Sequence, residues 1–172
     1  MNIVFLDIET TGLDPATHEI LEVGMVRRYY SEIARENVDY EEHFSLPISE
    51  ERADAKALEI NKYAERRQLL SLIEIDSAKA AEGLREVLAD ALVVGNNVQF
   101  DLRFIERLIG GTPWYYSPLD LKAWAAGMCG MSKPASTKFI AELADVPLST
   151  DAHTALVDAR WNRDVYDKLG GN

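Results

Sequence analysis

The stretch that decides the fold lies near the start of the chain and reads Asn2-Ile3-Val4-Phe5-Leu6-Asp7-Ile8-Glu9-Thr10-Thr11-Gly12-Leu13. Ile3 to Leu6 are continuously apolar and rich in β-forming residues, which predicts a short buried strand. Asp7 and Glu9 follow at the end of that strand. Because side chains alternate along a strand, both carboxylates are expected on the same face of the sheet. The turn residues that follow, through Pro15, end the strand.

This pair of acids has two interpretations. Two carboxylates held close together repel each other, which raises the pKa of one of them unless a cation lies between them. Oxygen ligands of this kind suit Mg²⁺ or Mn²⁺. The simpler alternative is a strand end that runs into a polar turn. For two acids separated by one residue, taken alone, the simpler interpretation is the commoner one.

The rest of the chain predicts strands first and then helices alternating with strands. Strands are predicted over residues 2–8, 20–30, within 33–44, 91–94 and 114–116. Helices are predicted over residues 49–70 with a break near Asn61, and over 76–89, 100–109, 119–128, 136–144 and 152–169. This order predicts one α/β domain over residues 1–172. Its mixed five-stranded sheet combines a three-strand antiparallel meander with parallel strands. At 114–116 the aromatic run Trp114-Tyr115-Tyr116 favours strand core over a stacking platform.

Two further clusters carry acids beside a helix start. The first is Gly95-Asn96-Asn97-Val98-Gln99-Phe100-Asp101, where a buried strand ends, and ligands usually bind at the carboxyl ends of such strands. The second holds His153 and Asp158, which would lie roughly 140° apart around one helix. A shared site therefore requires His153 at or before the helix start. Each of these residues also has a simpler interpretation when taken alone. Asp101 could be an acid that is favourable in the first turn of a helix, and His153 could be a capping or surface residue.

Composition and charge limit the function classes. The chain has 172 residues and a mass of 19.3 kDa, with 47% hydrophobic and 27% charged residues, which is typical of one globular domain. The lone Cys129 fits a reducing compartment, and we expect a cytoplasmic protein. No apolar run is long enough to span a membrane, and we expect no signal peptide. The net charge of −11 excludes coating of duplex DNA, so nucleic acid would need a local site or a bound cation.

Together the three clusters resemble the DEDDh family of 3′→5′ exonucleases, which have the ribonuclease H-like fold and include the proofreading subunit of bacterial replicative polymerase. The run from Asp7 to Leu13 is similar to the first motif, Asn97 with Phe100 and Asp101 to the second, and His153 with Asp158 to the third. The resemblance covers residues 2–169. Ala57-Leu58-Glu59-Ile60-Asn61 is also similar to a family linker. The sequence departs from the family at Asn96, where the family often has histidine, and we expect no polymerase-docking tail after the last helix.

The resemblance implies a set of site residues. Two Mg²⁺ or Mn²⁺ ions would be held by Asp7, Glu9, Asp101 and Asp158, with Asp7 bridging them. His153 would be the general base. The substrate-binding residues that it implies are Thr10, Thr11, Leu13, Asn97 and Phe100. Lys133, Lys138, Arg103 and Arg160 are further candidates for phosphate contacts, or else solvated helix charges.

The implied activity is hydrolysis of single-stranded DNA from its 3′ end, with release of nucleoside 5′-monophosphates, as in DNA replication or repair. Two alternatives stay open. One is a 3′→5′ exoribonuclease acting on short RNA, because a few local contacts distinguish the two sugars. The other is a catalytically silent, polymerase-associated module that binds nucleic acid. The complete set of four acids and a histidine argues against the silent module.

Overall fold

The computed structural model describes residues 2–149 and 154–171, in which helices cover both faces of one sheet. The strands are β1 (Ile3–Thr10), β2 (Ile20–Ser31), β3 (Glu36–Ser45), β4 (Leu92–Gly95) and β5 (Leu119–Asp120). After a 3-10 turn at Glu50–Arg52, the helices are α1 (Ala55–Ile60), α2 (Tyr63–Leu72), α3 (Ser77–Leu88), α4 (Val98–Ile109), α5 (Leu121–Met128), α6 (Thr137–Ala144) and α7 (Ala155–Lys168).

The sheet has the order β3-β2-β1-β4-β5. β1 pairs antiparallel with β2, and β2 with β3, whereas β4 pairs parallel with both β1 and β5. The predicted combination of an antiparallel meander with parallel strands is therefore confirmed. Because β1, β4 and β5 run in the same direction, their carboxyl ends meet at one edge of the sheet. The acids that end β1 and the asparagines that follow β4 lie at this edge.

Alternation along β1 separates two apolar cores. Val4, Leu6 and Ile8 pack on one face in a core completed by α3 and α4. Phe5 packs on the other face with residues of α5, α6 and α7. Asp7 and Glu9 have the same parity as Phe5 and so share its face, as the sequence predicts. The strand thus buries its apolar residues on both sides and delivers its two acids to the side of α7.

A glycine in β2 lets α7 approach the sheet. Gly24 lies directly opposite Asp7 in the antiparallel register. A Cβ at Gly24 would lie 2.2 Å from backbone atoms of Ala155 and Leu156. Any larger residue would therefore push the first turn of α7 away from the sheet. Asp158 lies in that first turn, so this close approach carries its carboxylate toward Asp7.

The predicted strand at 114–116 is wrong, and so is the strand-core interpretation of its aromatics. Trp114 packs against the first core from a loop, whereas the Tyr115 and Tyr116 side chains are 37% and 85% exposed. Two backbone hydrogen bonds join the loop to the residues just before β4, from Tyr115 N to Ala91 O and from Asp90 N to Pro113 O. Prolines on either side of the aromatics remove backbone donors, which outweighs the β propensity of the aromatics. The fifth strand is instead Leu119–Asp120, inside the predicted helix 119–128.

The break predicted near Asn61 is confirmed, because Lys62 adopts the left-handed conformation (φ 49°) between α1 and α2.

Among the described residues, no helix is both long and apolar enough to cross a membrane.

Candidate active site

Three acids from two elements converge at the carboxyl edge of the sheet. Asp7 and Glu9 come from the end of β1, and Asp158 comes from the first turn of α7. One carboxylate oxygen from each of the three lies within 4.8 Å of the other two. The sequence separates Asp158 from the other two by about 150 residues, so only the fold brings them together. This spacing is close enough for one cation to contact all three acids.

Asp101, the fourth predicted acid, comes from the first turn of α4 and lines a cavity together with the other three acids. It is 5% exposed, and its Oδ1 accepts a hydrogen bond of 3.1 Å from the backbone N–H of Ile8. This bond fixes Asp101 against the peptide that joins Asp7 to Ile8. The structure therefore places all four acids around the end of β1, and carboxylate oxygens of three of them lie within 4.8 Å of one another.

Burial raises the pKa of three of these carboxylates, and neighbouring acidic charges raise the pKa of Asp7 and Glu9 further. Burial raises the pKa of Asp7 well above its ordinary value, and the nearby charges of Asp101, Glu9 and Asp158 raise it further. Burial, followed by the charge of Asp158, raises the pKa of Glu9 to about 8. Burial also raises the pKa of Asp101 to about 8, against the hydrogen bond from Ile8. A cluster of this kind becomes favourable in its ionised form when a cation neutralises it.

A fifth carboxylate beside the cluster behaves in the opposite way. Glu22 lies opposite Glu9 in the β1–β2 register and is fully buried. Arg66 of α2 donates from Nη2 to both Glu22 oxygens, at 2.6 and 2.7 Å, and His43 of β3 donates to Oε1. Burial raises the pKa of Glu22, but the hydrogen bonds and charges of His43 and Arg66 outweigh it and hold the pKa below its ordinary value. Glu22 is thus already paired with the guanidinium of Arg66.

The four acids open into a cavity of about 490 Å³. Asn97 and Phe100, two of the predicted substrate-binding residues, line it from the start of α4. Asn97 adopts the left-handed conformation (φ 70°) and its carbonyl accepts from Phe100 N–H. The Phe100 ring also lies 5.2 Å from the ring of Phe104, so it is anchored to the core on one side.

The predicted substrate residues at the end of β1 have different exposures. Leu13 is 81% exposed and free to meet a ligand. Thr10 and Thr11 are 7% and 1% exposed. The Thr10 hydroxyl donates to Gly12 O, and the Thr11 hydroxyl accepts from Glu19 N–H. The two threonines therefore fix the loop that carries Leu13.

Sequence reasoning missed several residues of the cavity, namely Thr137, Leu148, Ser149, Trp161 and Asn162. Asn162 follows Asp158 by four positions on α7, so helical periodicity could have placed both on one face. Sequence reasoning also missed Glu22. The sequence marks this residue only as a single acid within the otherwise apolar start of β2. Of the candidate phosphate contacts, Arg160 is engaged in an ion pair with Glu41.

The described residues fit a hydrated divalent cation. Asn162 is 1% exposed, and its Nδ2 donates to Leu6 O at 3.0 Å. Because a carbonyl oxygen only accepts, this bond fixes the orientation of the amide. Asn162 Oδ1 and Asn96 Oδ1 are then buried acceptors with no donor among the described residues. Mg²⁺ binds carboxylate oxygens and keeps several of its waters, which could donate to such acceptors.

His153, the predicted general base, lies outside the described residues together with Thr150, Asp151 and Ala152.

A family model described as an exonuclease matches residues 4–166. The chain belongs to this exonuclease family. The match extends from β1 into α7 and so includes all four acids. The predicted resemblance to the DEDDh exonucleases is thereby confirmed.

Curated relatives of this exonuclease domain include a polymerase and a ribonuclease. The chain is 28% identical to a PolC-type DNA polymerase III of Thermotoga maritima over 169 residues, which are 95% of this chain and 11% of the relative. It is 25% identical to ribonuclease T of Buchnera aphidicola, with 96% of this chain and 82% of the relative covered. The chain thus spans about a tenth of the polymerase and most of the ribonuclease.

Solved structures support the fold. A structure of exonuclease I matches with a TM-score of 0.77 at 16% identity, over 99% of this chain and 41% of the other. Escherichia coli exonuclease I in complex with a dT13 oligonucleotide matches with a TM-score of 0.69 at 18% identity, over 98% of this chain and 40% of that one. These similarities confirm the predicted ribonuclease H-like architecture.

Proposed function

We propose that this protein is a metal-dependent 3′→5′ exonuclease that shortens single-stranded DNA and releases nucleoside 5′-monophosphates. The observation that carries the proposal is the convergence of Asp7, Glu9 and Asp158 within 4.8 Å, beside Asp101, in a domain of the exonuclease family. A silent binding module would gain nothing from gathering four carboxylates whose mutual repulsion opposes folding.

The four acids are proposed as ligands for two Mg²⁺ or Mn²⁺ ions. Asp7, Glu9 and Asp158 lie close enough together to hold one ion, and Asp101, which lines the same cavity, would complete the set of ligands. A pair of divalent ions lowers the pKa of a bound water and stabilises the leaving oxygen of a phosphodiester. His153 is proposed to accept the proton of the attacking water, because the unperturbed pKa of a histidine side chain lies near neutral pH. In the sequence, His153 precedes the start of α7 by two residues and Asp158 by five.

The cavity suits the end of a strand whatever its sequence. Phe100 presents a ring at the cavity wall, and Leu13 extends from the adjacent loop into solvent. Apolar and aromatic faces stack with any base, so contacts of this type tolerate all sequences. We propose that Leu13 and Phe100 contact terminal bases and that Asn97 and the backbone at Thr10 and Thr11 position the terminal nucleotide.

Charge supports a local, cation-dependent site. With a net charge of −11, the protein as a whole repels a phosphate backbone. Two divalent cations would neutralise the four acids of the cavity and leave room for a phosphate there. Strand binding should therefore depend on divalent metal far more than on general basic surface.

A second candidate is the same reaction on RNA. The similarity to ribonuclease T, which covers 82% of that relative, favours it. The similarity to the PolC-type polymerase and to exonuclease I with bound dT13 favours DNA. The polymerase relatives also support an association of this chain with a polymerase. Equal concentrations of 5′-labelled single-stranded DNA, duplex DNA and RNA of matched sequence, digested in parallel with Mg²⁺, decide between the two substrates.

A further inference from the structure

The helical segment beside the acids is attached to the sheet mainly by polar contacts. α1 buries none of its residues, and α2 buries only Leu70. Asn61, between the two helices, is 3% exposed, and its Nδ2 donates to Thr10 O at 3.0 Å. At the start of the segment, Asp54 N–H donates to Thr11 O at 2.8 Å. The position of this segment is thus tied to the end of β1, where the candidate site begins.

Arg66 joins the same segment to the neighbouring strand. Its Nη2 donates hydrogen bonds to both oxygens of the fully buried Glu22 on β2, and its Nη1 donates to Asn61 O at 3.3 Å. One guanidinium therefore connects β2 to Asn61, and Asn61 connects to Thr10 on β1. We call Arg66, Glu22 and Asn61 the Arg66 clamp.

The clamp lies behind Glu9. Glu9 and Glu22 are directly opposite in the antiparallel register, and the register shifts between Glu9 and Thr10. Like charges at opposite positions destabilise a strand pair. Arg66 offsets part of this repulsion by pairing with Glu22, and the Asn61 bond holds the backbone on the other side of the shift. Both contacts restrict where the Glu9 carboxylate and the Thr10 carbonyl can lie.

We propose that Arg66 is a positioning residue, which holds Glu9 in the geometry for metal binding and Thr10 in the geometry for strand binding through Glu22 and Asn61. This inference rests on the proposed function. Removal of groups that orient metal ligands typically lowers metal affinity or activity by about 10–100-fold. The clamp is predicted to contribute an effect of this size without touching the metal or the strand.

The test must separate positioning from stability, because Arg66→Met alone leaves Glu22 buried and unpaired and is expected to destabilise the fold. The double variant Glu22→Leu/Arg66→Met replaces the ion pair with apolar side chains, a change that often preserves stability. The matched control is Glu50→Gln/Arg67→Gln, which removes the exposed ion pair at the next position of the same helix. Melting temperature, Mn²⁺ affinity by calorimetry, and kcat and KM on a 5′-labelled single strand are measured for each.

We expect the double variant to melt near the wild-type temperature. Its Mn²⁺ affinity and its turnover rate should each be about 10–100-fold lower than those of the wild type, and the control should match the wild type in both. A folded double variant with wild-type Mn²⁺ affinity and turnover would overturn the proposal. If the double variant does not fold, Arg66→Lys tests the proposal instead. A lysine keeps the positive charge but has one nitrogen, so it cannot contact both Glu22 and Asn61 as the two guanidinium nitrogens do. The Mn²⁺ affinity of Arg66→Lys should fall about tenfold, and an unchanged affinity refutes the clamp. A wild-type protein that binds Mn²⁺ but cuts no strand would refute the proposed function instead, since the affinity comparison still tests the clamp.

Discussion

The raised pKa of Glu9 predicts that Glu9→Gln stabilises the metal-free protein. Its pKa rises from 4.5 to about 8 on folding, so at neutral pH folding must either bind a proton or bury a charge. One unit of pKa is worth about 1.4 kcal/mol. At pH 7 the unfavourable contribution is therefore about 3 kcal/mol. For a domain of this size, its removal should raise the melting temperature by roughly 6–12 °C.

The assay is thermal unfolding in a chelator at pH 7 to 8. Glu82→Gln, on the exposed side of α3, is the matched control and should change the melting temperature little. The advantage of Glu9→Gln should shrink below about 1 kcal/mol as the pH falls to 5, because Glu9 stays protonated in the folded state and pH 5 is only about half a unit above its unfolded pKa of 4.5. An unchanged or lower melting temperature at pH 8, or an equal rise for Glu82→Gln, would refute this reasoning.

Three further predictions follow from the same geometry. Mg²⁺ should raise the melting temperature more at pH 8 than at pH 5.5, because the raised pKa of Glu9 leaves a protonated ligand at the lower pH; an equal gain at both pH values contradicts it. Gly24→Ala should cost about 1–3 kcal/mol of stability and weaken metal binding, because its Cβ would meet the start of α7 at 2.2 Å. Gly83→Ala, on a helix with open space around it, should not destabilise in the same unfolding assay. His153→Ala should lower turnover by about 10²–10⁴ with metal affinity intact by calorimetry; loss of metal affinity would assign His153 as a ligand instead.

The fold was largely predictable because β1, the start of β2 and β4 are strongly apolar and several helices are amphipathic. The run from Ile3 to Leu6, the meander and the break at Asn61 all follow from local pattern. The error at Trp114-Tyr115-Tyr116 arose because local β propensity does not report pairing partners. β5 has only two residues, Leu119 and Asp120, and forms because β4 lies beside them rather than because of its own sequence.

The acids of the site were predictable from motif order, but their supporting residues were not. Asp7, Glu9, Asp101 and Asp158 each sit beside a turn or a helix start, which makes them visible in the sequence. The partners of Glu22 come from β3 and α2, which are 21 and 44 residues away. Contacts over such distances depend on the assembled fold and have no local signature.

The measurement that tests the central claim most directly is a time course on a 5′-labelled single-stranded DNA with Mg²⁺, run beside the same reaction in excess chelator and beside Asp7→Asn. The account predicts a ladder that shortens one nucleotide at a time from the 3′ end, no products in chelator, and no products from Asp7→Asn although that variant remains folded. Cleavage of a closed circular single strand, full activity in chelator, or turnover of Asp7→Asn within about tenfold of wild type, roughly 1.4 kcal/mol of barrier, would contradict it.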